Sequence, residues 1–288
     1  MKKLSPPFFA PFLLSLSLVS GCFQQAAPDR LVTATSLDEA ARLGQTVECI
    51  DLSAAPKLAA FPEGLASCPA LRKLSLRGQT AIAELPDAIG SLSTLEVLDL
   101  AETGLQTLPD SFAALASLRH LYLSDNGIAD LPPQLGALKD LTYLNLDRNA
   151  LTNLPPEIGG LAGIKWLRLN DNQLVDLPPE AARLKNVKRL YLRGNRLDKL
   201  PDAVLGMTAL EEIDIGGNRI TELPEAIVDM PNLRRIDLDG NPLVKLPEDI
   251  GKMQQLRWLI VNNCKLPVEE QKRVRELFPN KVKVHIAF

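Results

Sequence analysis

"LTYLNLDRNALTNLPPEIGGLAG", residues 141–163, decides how this chain folds. Its opening LxxLxL alternates with period two. Leu144 and Leu146 therefore face one way while Tyr143, Asn145 and Asp147 face the other, as on a short strand with one buried side. The pattern recurs in both directions. Leu95, Leu118, Leu141, Ile164, Val187, Leu210, Leu233 and Leu256 open successive segments, each twenty-three residues after the last. Val47 and Leu71 open two earlier segments that run one residue longer. No single segment can bury its leucines alone, so neighbours must stack into a continuous core and a parallel sheet.

Written in full, the pattern is LxxLxLxxNxLxxLPxxIxxLxx, and it resembles the leucine-rich-repeat family over residues 47–266. The resemblance implies an α/β solenoid of about ten repeats, a curved horseshoe with a parallel β-sheet on its concave side. Short helical turns line the convex side, and a cap closes each end. Asn126, Asn149, Asn172, Asn195, Asn218 and Asn241 recur at one position. In the family that side chain lies inside and hydrogen-bonds adjacent turns, as a buried amide requires. Ala55 and Gln79 break the position in the first two segments, and Cys264 holds it in the last, where it reads as a buried structural thiol. The LP prolines are expected at first helical positions. Asp87, Asp110, Asp202, Glu225 and Glu248 just after them complement the helix dipole rather than catalyse.

At the N-terminal end, 36–46 reads as a cap helix, with Ser36 as N-cap, Glu39 closing a capping box and Gly44 as the stop. At the other end, 267–288 reads as a helix plus a strand. Val274, Leu277 and Phe278 share a helix face ended by Pro279; Val282, Val284, Ile286 and Phe288 then alternate, with His285 on the polar side. With both ends capped, no further catalytic domain is expected.

Among 288 residues, 46% are hydrophobic but only 5% aromatic, so the core is aliphatic, and a net charge of -3 argues against a nucleic-acid partner. Residues 1–21 read as a signal peptide, with a basic start and an apolar run, "FFAPFLLSLSLV", too short for a comfortable membrane span. Val19-Ser20-Gly21-Cys22 resembles the lipobox of bacterial lipoproteins. That resemblance implies a lipidated Cys22 followed by a tether over 22–35, and two or more acyl chains make a lasting anchor. Phe23 stands where family habit places an aspartate for inner-membrane retention, which favours an outer-membrane location in the cell envelope, periplasmic or surface-facing. An exported protein can oxidise cysteines, and Cys49 with Cys68 is a candidate pair on sequence distance.

The natural binding site of such a fold is the concave sheet, where repeat positions 2, 3, 5, 7 and 8 face outward. Tyr122, Tyr143, Tyr191, Trp166, Trp258 and His120 all fall on those positions. All but Trp258 cluster on four consecutive turns spanning about 15 Å. Arg148, Lys165, Arg168, Lys188, Arg189 and Arg193 accompany them, against Asp147 and Asp171, flanked by acidic turns carrying Glu96, Asp99 and Glu102 on one side and Glu211, Glu212 and Asp214 on the other. Tyr, Trp and Arg are enriched at binding hot spots. The expected partner-binding set is therefore His120, Tyr122, Tyr143, Trp166, Arg168, Arg189, Tyr191 and Arg193, and a protein partner is expected. The alternatives are an anionic envelope polysaccharide or glycolipid headgroup, or a purely structural role in which the rings only add cross-strand packing. Trp258, alone near the C-terminal lid, reads as structural.

Asp99, His120 and Ser124 lie on adjacent strands like a hydrolase triad, but nothing resembles a nucleophile elbow or an oxyanion hole, so no enzyme is expected. No cluster has zinc spacing and no glycine-rich loop resembles a phosphate cradle, so no metal or cofactor is expected. Asp237 and Asp239 read as solvated surface charge rather than calcium ligands.

Overall fold

A computed structural model describes residues 31–278 and 285–287. The leader, Cys22, the first part of the tether, Pro279, Val282, Val284 and Phe288 lie outside the described residues. Twelve parallel strands follow in chain order: β1 (Thr33–Ala34), β2 (Cys49–Asp51), β3 (Lys73–Ser75), β4 (Val97–Asp99), β5 (His120–Tyr122), β6 (Tyr143–Asn145), β7 (Trp166–Arg168), β8 (Arg189–Tyr191), β9 (Glu212–Asp214), β10 (Arg235–Asp237), β11 (Trp258–Ile260) and β12 (His285–Ala287). Each pairs only with its sequence neighbours, so one open sheet forms a leucine-rich-repeat solenoid. Thr33–Ala34 fall within the expected tether but pair with β2, because Cys49–Ile50 otherwise offer an unpaired edge.

Turn 141–163 shows how the core is made. Leu141, Leu144, Leu146, Leu151, Leu154, Ile158 and Leu161 are all at most 5% exposed. Fully burying one such side chain is worth about 2 kcal/mol, and neighbouring turns supply the cover. Between strand and convex side, position 8 is left-handed in turn after turn: φ is 59° at Glu102, 60° at Asp125, 54° at Arg148 and Asp171, and 68° at Gly194. That conformation breaks the strand and turns residue 9 inward, where the asparagine ladder forms. Asn172 Nδ2 donates to Leu146 O (2.9 Å) and Leu169 O (3.1 Å), and its Oδ1 accepts from Leu151 N (3.1 Å). Gln79 keeps the ladder in its own turn, donating to Leu52 O (2.7 Å) and accepting from Leu58 N (2.9 Å). Cys264 donates to Leu238 O at 3.4 Å but is half-buried rather than buried.

The convex segments are 3₁₀ turns, mostly of five residues. The LP proline stands one residue outside each five-residue turn, not at its first position, because its ψ is extended (153° at Pro86, 154° at Pro109). A proline begins the turn only where a second one follows, at Pro133, Pro156 and Pro179. Asp87, Asp110, Asp202 and Glu225 are therefore the first turn residues, whereas Glu248 precedes a turn that starts at Ile250. The turns pack backbone to backbone: a Cβ built on Gly159 would lie 2.3 Å from Glu180 O.

The N-terminal cap is α1 (Leu37–Leu43), where Ser36 Oγ accepts the Glu39 N–H and Gly44 (φ 55°) stops the helix. Glu39 reaches one residue further back than a capping box requires, accepting the Thr35 N–H at 2.8 Å. The C-terminal cap helix, α2 (Val268–Leu277), buries Val274 and leads into buried Phe278, while Leu277 stays exposed. Glu270 accepts the Leu246 N–H (2.8 Å), and Arg273 donates to Leu246 O (3.0 Å), which ties the cap to the last turns.

Candidate functional site

The concave face is a grid in which the strand registers set the columns. His120, Tyr143, Trp166 and Arg189 are direct neighbours at position 3, and Tyr122, Asn145, Arg168 and Tyr191 are neighbours at position 5. The rings touch. Tyr143 lies 6.3 Å from His120, 5.0 Å from Tyr122 and 5.9 Å from Trp166 between centroids, all tilted. The Arg189 guanidinium covers the Trp166 ring at 4.6 Å, and Arg168 covers Tyr191 at 5.1 Å. Trp166 is thus held between Tyr143 and Arg189 with part of its indole open.

Position 5 is the middle row, between rows 3 and 7. Tyr122, expected as a binding residue, is only 3% exposed there, covered by Tyr143. His120, Tyr143, Trp166, Arg168, Arg189, Tyr191 and Arg193 are half-buried. Trp258, by contrast, is 46% exposed on β11.

The expected basic centre is largely neutralised from within. Charges twenty-one to twenty-five residues apart meet across adjacent turns. Arg72 pairs with Glu96, Arg77 with Asp99 and Glu102, and Arg148 with Asp125. Arg168 donates to Asp147 at 2.7 Å, while Lys188 and Arg189 pair with Glu211 and Glu212. Arg193 reaches further, contacting Asp214 on the next turn and Asp237 and Asp239 on the one after, all at 3.0–3.1 Å. The acidic turn at 210 is thus a partner of the basic turn at 187, whereas the acids of the turn at 95 pair with Arg72 and Arg77, outside the expected basic centre. Burial opposes the Arg193 charge, but the three carboxylates outweigh it and push its pKa up. Burial raises Asp99 despite Arg77; burial and Asp214 raise Asp237 despite Arg193. Burial, with Arg119 and Lys73 nearby, holds the His120 imidazole below its ordinary value and favours its neutral form.

The hydrolase triad is not assembled. Asp99 is 1% exposed and committed to Arg77 and the Ala101 N–H, while Ser124 hydrogen-bonds Asp125. Asp237 and Asp239 are held by Arg193 instead of standing free in solvent. Cys49 on β2 and Cys68 at the end of a convex turn are both free thiols, pushed up by burial, so the candidate disulfide is not formed. Among the described residues, no three His, Cys, Asp or Glu side chains group as metal ligands and no helix is long and apolar enough to cross a membrane.

Stacked turns and an asparagine ladder define a leucine-rich-repeat solenoid, with an aromatic strip on its concave face. Models of the leucine-rich repeat match residues 185–243 and 140–161, and one of a leucine-rich repeat region matches 62–142, so the chain carries leucine-rich repeats by sequence as well as by fold. Among similar solved structures is an internalin from Listeria monocytogenes, 20% identical with a TM-score of 0.67, covering 85% of this chain and 74% of that one. A chain of the Toll–Spatzle complex of Drosophila is 25% identical with a TM-score of 0.69, covering 77% of this chain and 30% of its own. The ectodomain of the Arabidopsis thaliana receptor kinase GASSHO1/SCHENGEN3, solved with CASPARIAN STRIP INTEGRITY FACTOR 2, is 27% identical with a TM-score of 0.57, covering 82% and 35%. A comparison with curated proteins finds no match.

Proposed function

We propose that this chain is a non-enzymatic binding module that holds a protein partner on its concave face, at a bacterial cell envelope, anchored through lipid on Cys22. The observation that carries the reading is the Tyr143–Trp166–Arg189 stack, in which an indole ordered on both sides keeps an open surface. A ring already ordered loses little entropy on binding, so its contact area converts efficiently into affinity. Two of the similar structures are complexes with a partner, Toll with Spatzle and the receptor ectodomain with its factor, which supports a protein ligand. The lipobox-like Val19-Ser20-Gly21-Cys22 supports the anchor, and Phe23 favours the outer membrane.

A photoreactive residue at position 166, crosslinked in the native envelope, is expected to trap one protein. Capture of nothing, or binding on a glycan array alone, overturns the protein reading. Cys22→Ala is expected to release the chain from membranes and abolish acyl labelling; retention on membranes overturns the anchor.

A further inference from the structure

The concave face carries a surplus of free positive charge, although the whole chain is net -3. Position 2 lies along one rim of the sheet, beside position 3. From β3 to β11, every carboxylate on those two rows is paired: Glu96 with Arg72, Glu211 with Lys188 and Glu212 with Arg189. Lys73, Arg119, Lys165, Arg234 and Arg257 sit on the same rows and form no ion pair among the described residues. Arg257 precedes the exposed Trp258 in sequence and Arg234 lies one turn before it: the backbone N–H groups of Trp258 and Arg257 both donate to Arg234 O, at 3.0 and 2.8 Å, and the Arg257 guanidinium donates to Gln254 O and Leu256 O, both at 2.9 Å. Lys165 stands beside Trp166 in the same way.

We infer that the partner segment is an acidic, extended peptide lying across the strands, anchored on Trp166 and on a second site made by Trp258, Arg234 and Arg257. The inference rests on the concave-face reading above. The two indoles are four strands apart, about 19 Å, and the row from β3 to β11 spans about 38 Å, the length of about twelve extended residues. Carboxylates meet unpaired guanidinium and ammonium groups there without displacing any existing ion pair. The spacing selects a peptide over an anionic polysaccharide. The free cations fall two, two, three and one turns apart, whereas a regular polysaccharide presents carboxylates at one fixed interval. The sequence of a peptide has no such constraint.

The probe is a fluorescein-labelled peptide of about twelve residues, mostly glutamate with two tyrosines, read by anisotropy; its length follows from the strand spacing. It is expected to bind the full chain, and more weakly as salt rises. Trp258→Ala is expected to weaken it about fivefold or more, and the double change Arg234→Glu with Arg257→Glu about tenfold or more. Trp258 is exposed enough that its removal leaves the fold intact, which circular dichroism checks. Equal binding of a lysine counterpart, or no binding of the glutamate peptide at about millimolar concentration, overturns the inference. So does binding of polygalacturonate in its place. If the protein trapped at position 166 binds the Trp258 and Arg234/Arg257 variants as tightly as the native chain, this inference falls and the concave-face reading stands. If nothing is trapped there, that reading itself falls.

Discussion

Replacing Trp166 with alanine separates a binding ring from a packing ring. The indole loses its tilted contact with Tyr143 at 5.9 Å and its cover by Arg189 at 4.6 Å. An aromatic pair is worth about 0.5–1.5 kcal/mol beyond area burial, and a cation over a half-exposed ring about 0.5–1 kcal/mol. The cost to the fold is therefore about 2 kcal/mol, a fall in Tm of about 4–8 °C. A domain with at least about 5 kcal/mol of stability keeps about 3 kcal/mol and stays more than about 99% folded, so loss of native protein cannot lower affinity measurably. A ring that anchors a partner at a hot spot costs at least about 2 kcal/mol of binding when truncated, about thirtyfold in Kd. The assay pairs a urea titration with calorimetry against the protein trapped at position 166. Trp166→Phe keeps a ring in the stack and recovers most of the stability. A lower urea midpoint with unchanged Kd for Trp166→Ala would falsify the binding role and leave only packing.

Asn172→Ala is expected to cost about 3 kcal/mol: Leu151 N–H loses its acceptor, whereas Leu146 O and Leu169 O each keep a bond from Asn149 or Asn195. Exposed Asn153→Ala, the control, shifts the urea midpoint by under about 0.5 kcal/mol. Gly159→Ala forces a Cβ against Glu180 O and is expected to lose about 2–3 kcal/mol, while Gly64→Ala meets nothing within 4 Å and is neutral or stabilising in the same denaturation assay. Arg168→Gln strands Asp147, 1% exposed, and costs about 2–3 kcal/mol; Lys165→Gln, on the same turn but without an ion pair, costs under about 0.5 kcal/mol by thermal melting. The folded pKa of His120 lies below the ordinary 6.5. Between those two values the unfolded chain binds more protons, so stability rises with pH through that window and is lost on acidification. NMR titration is expected to find the depressed pKa, and His120→Asn to remove that part of the pH dependence.

The repeat made the fold legible because a twenty-three-residue period fixes which residues share a row, and rows fix what faces the core. Depth within a row was not legible. Tyr122 and Tyr143 occupy outward positions that look alike in sequence, yet row 5 lies between rows 3 and 7 and only Tyr143 keeps an open edge. The ion pairs were within reach and missed: Arg168 with Asp147 and Arg193 with Asp214 are each twenty-one residues apart, an offset the period makes adjacent. Counting charge turn by turn treats such partners as opposing patches. The left-handed row also had a signal, since Gly78, Gly194, Gly217 and Gly240 share position 8 with Asp125, Asp171 and Asn263, the residue types that tolerate positive φ. That Trp258 faces outward followed from its row, whereas the extent of its exposure, 46%, did not.

Arginine does two jobs on this surface, and the row assigns which. At positions 5 and 7, Arg77, Arg168 and Arg193 reach along the strand-stacking direction into carboxylates of neighbouring turns, among them the buried Asp99, Asp147 and Asp237. Removing one of these leaves a buried charge without its partner, so they belong to the solenoid's own stability. At position 2, Arg119 and Arg234 are exposed, and no carboxylate among the described residues pairs with them. A ligand that drew on the first set would have to break ion pairs before making new ones. One that draws on the second set loses only water and counterions. Net charge says nothing of this division, and a chain that is -3 overall still presents a positive rim to whatever enters its concave face.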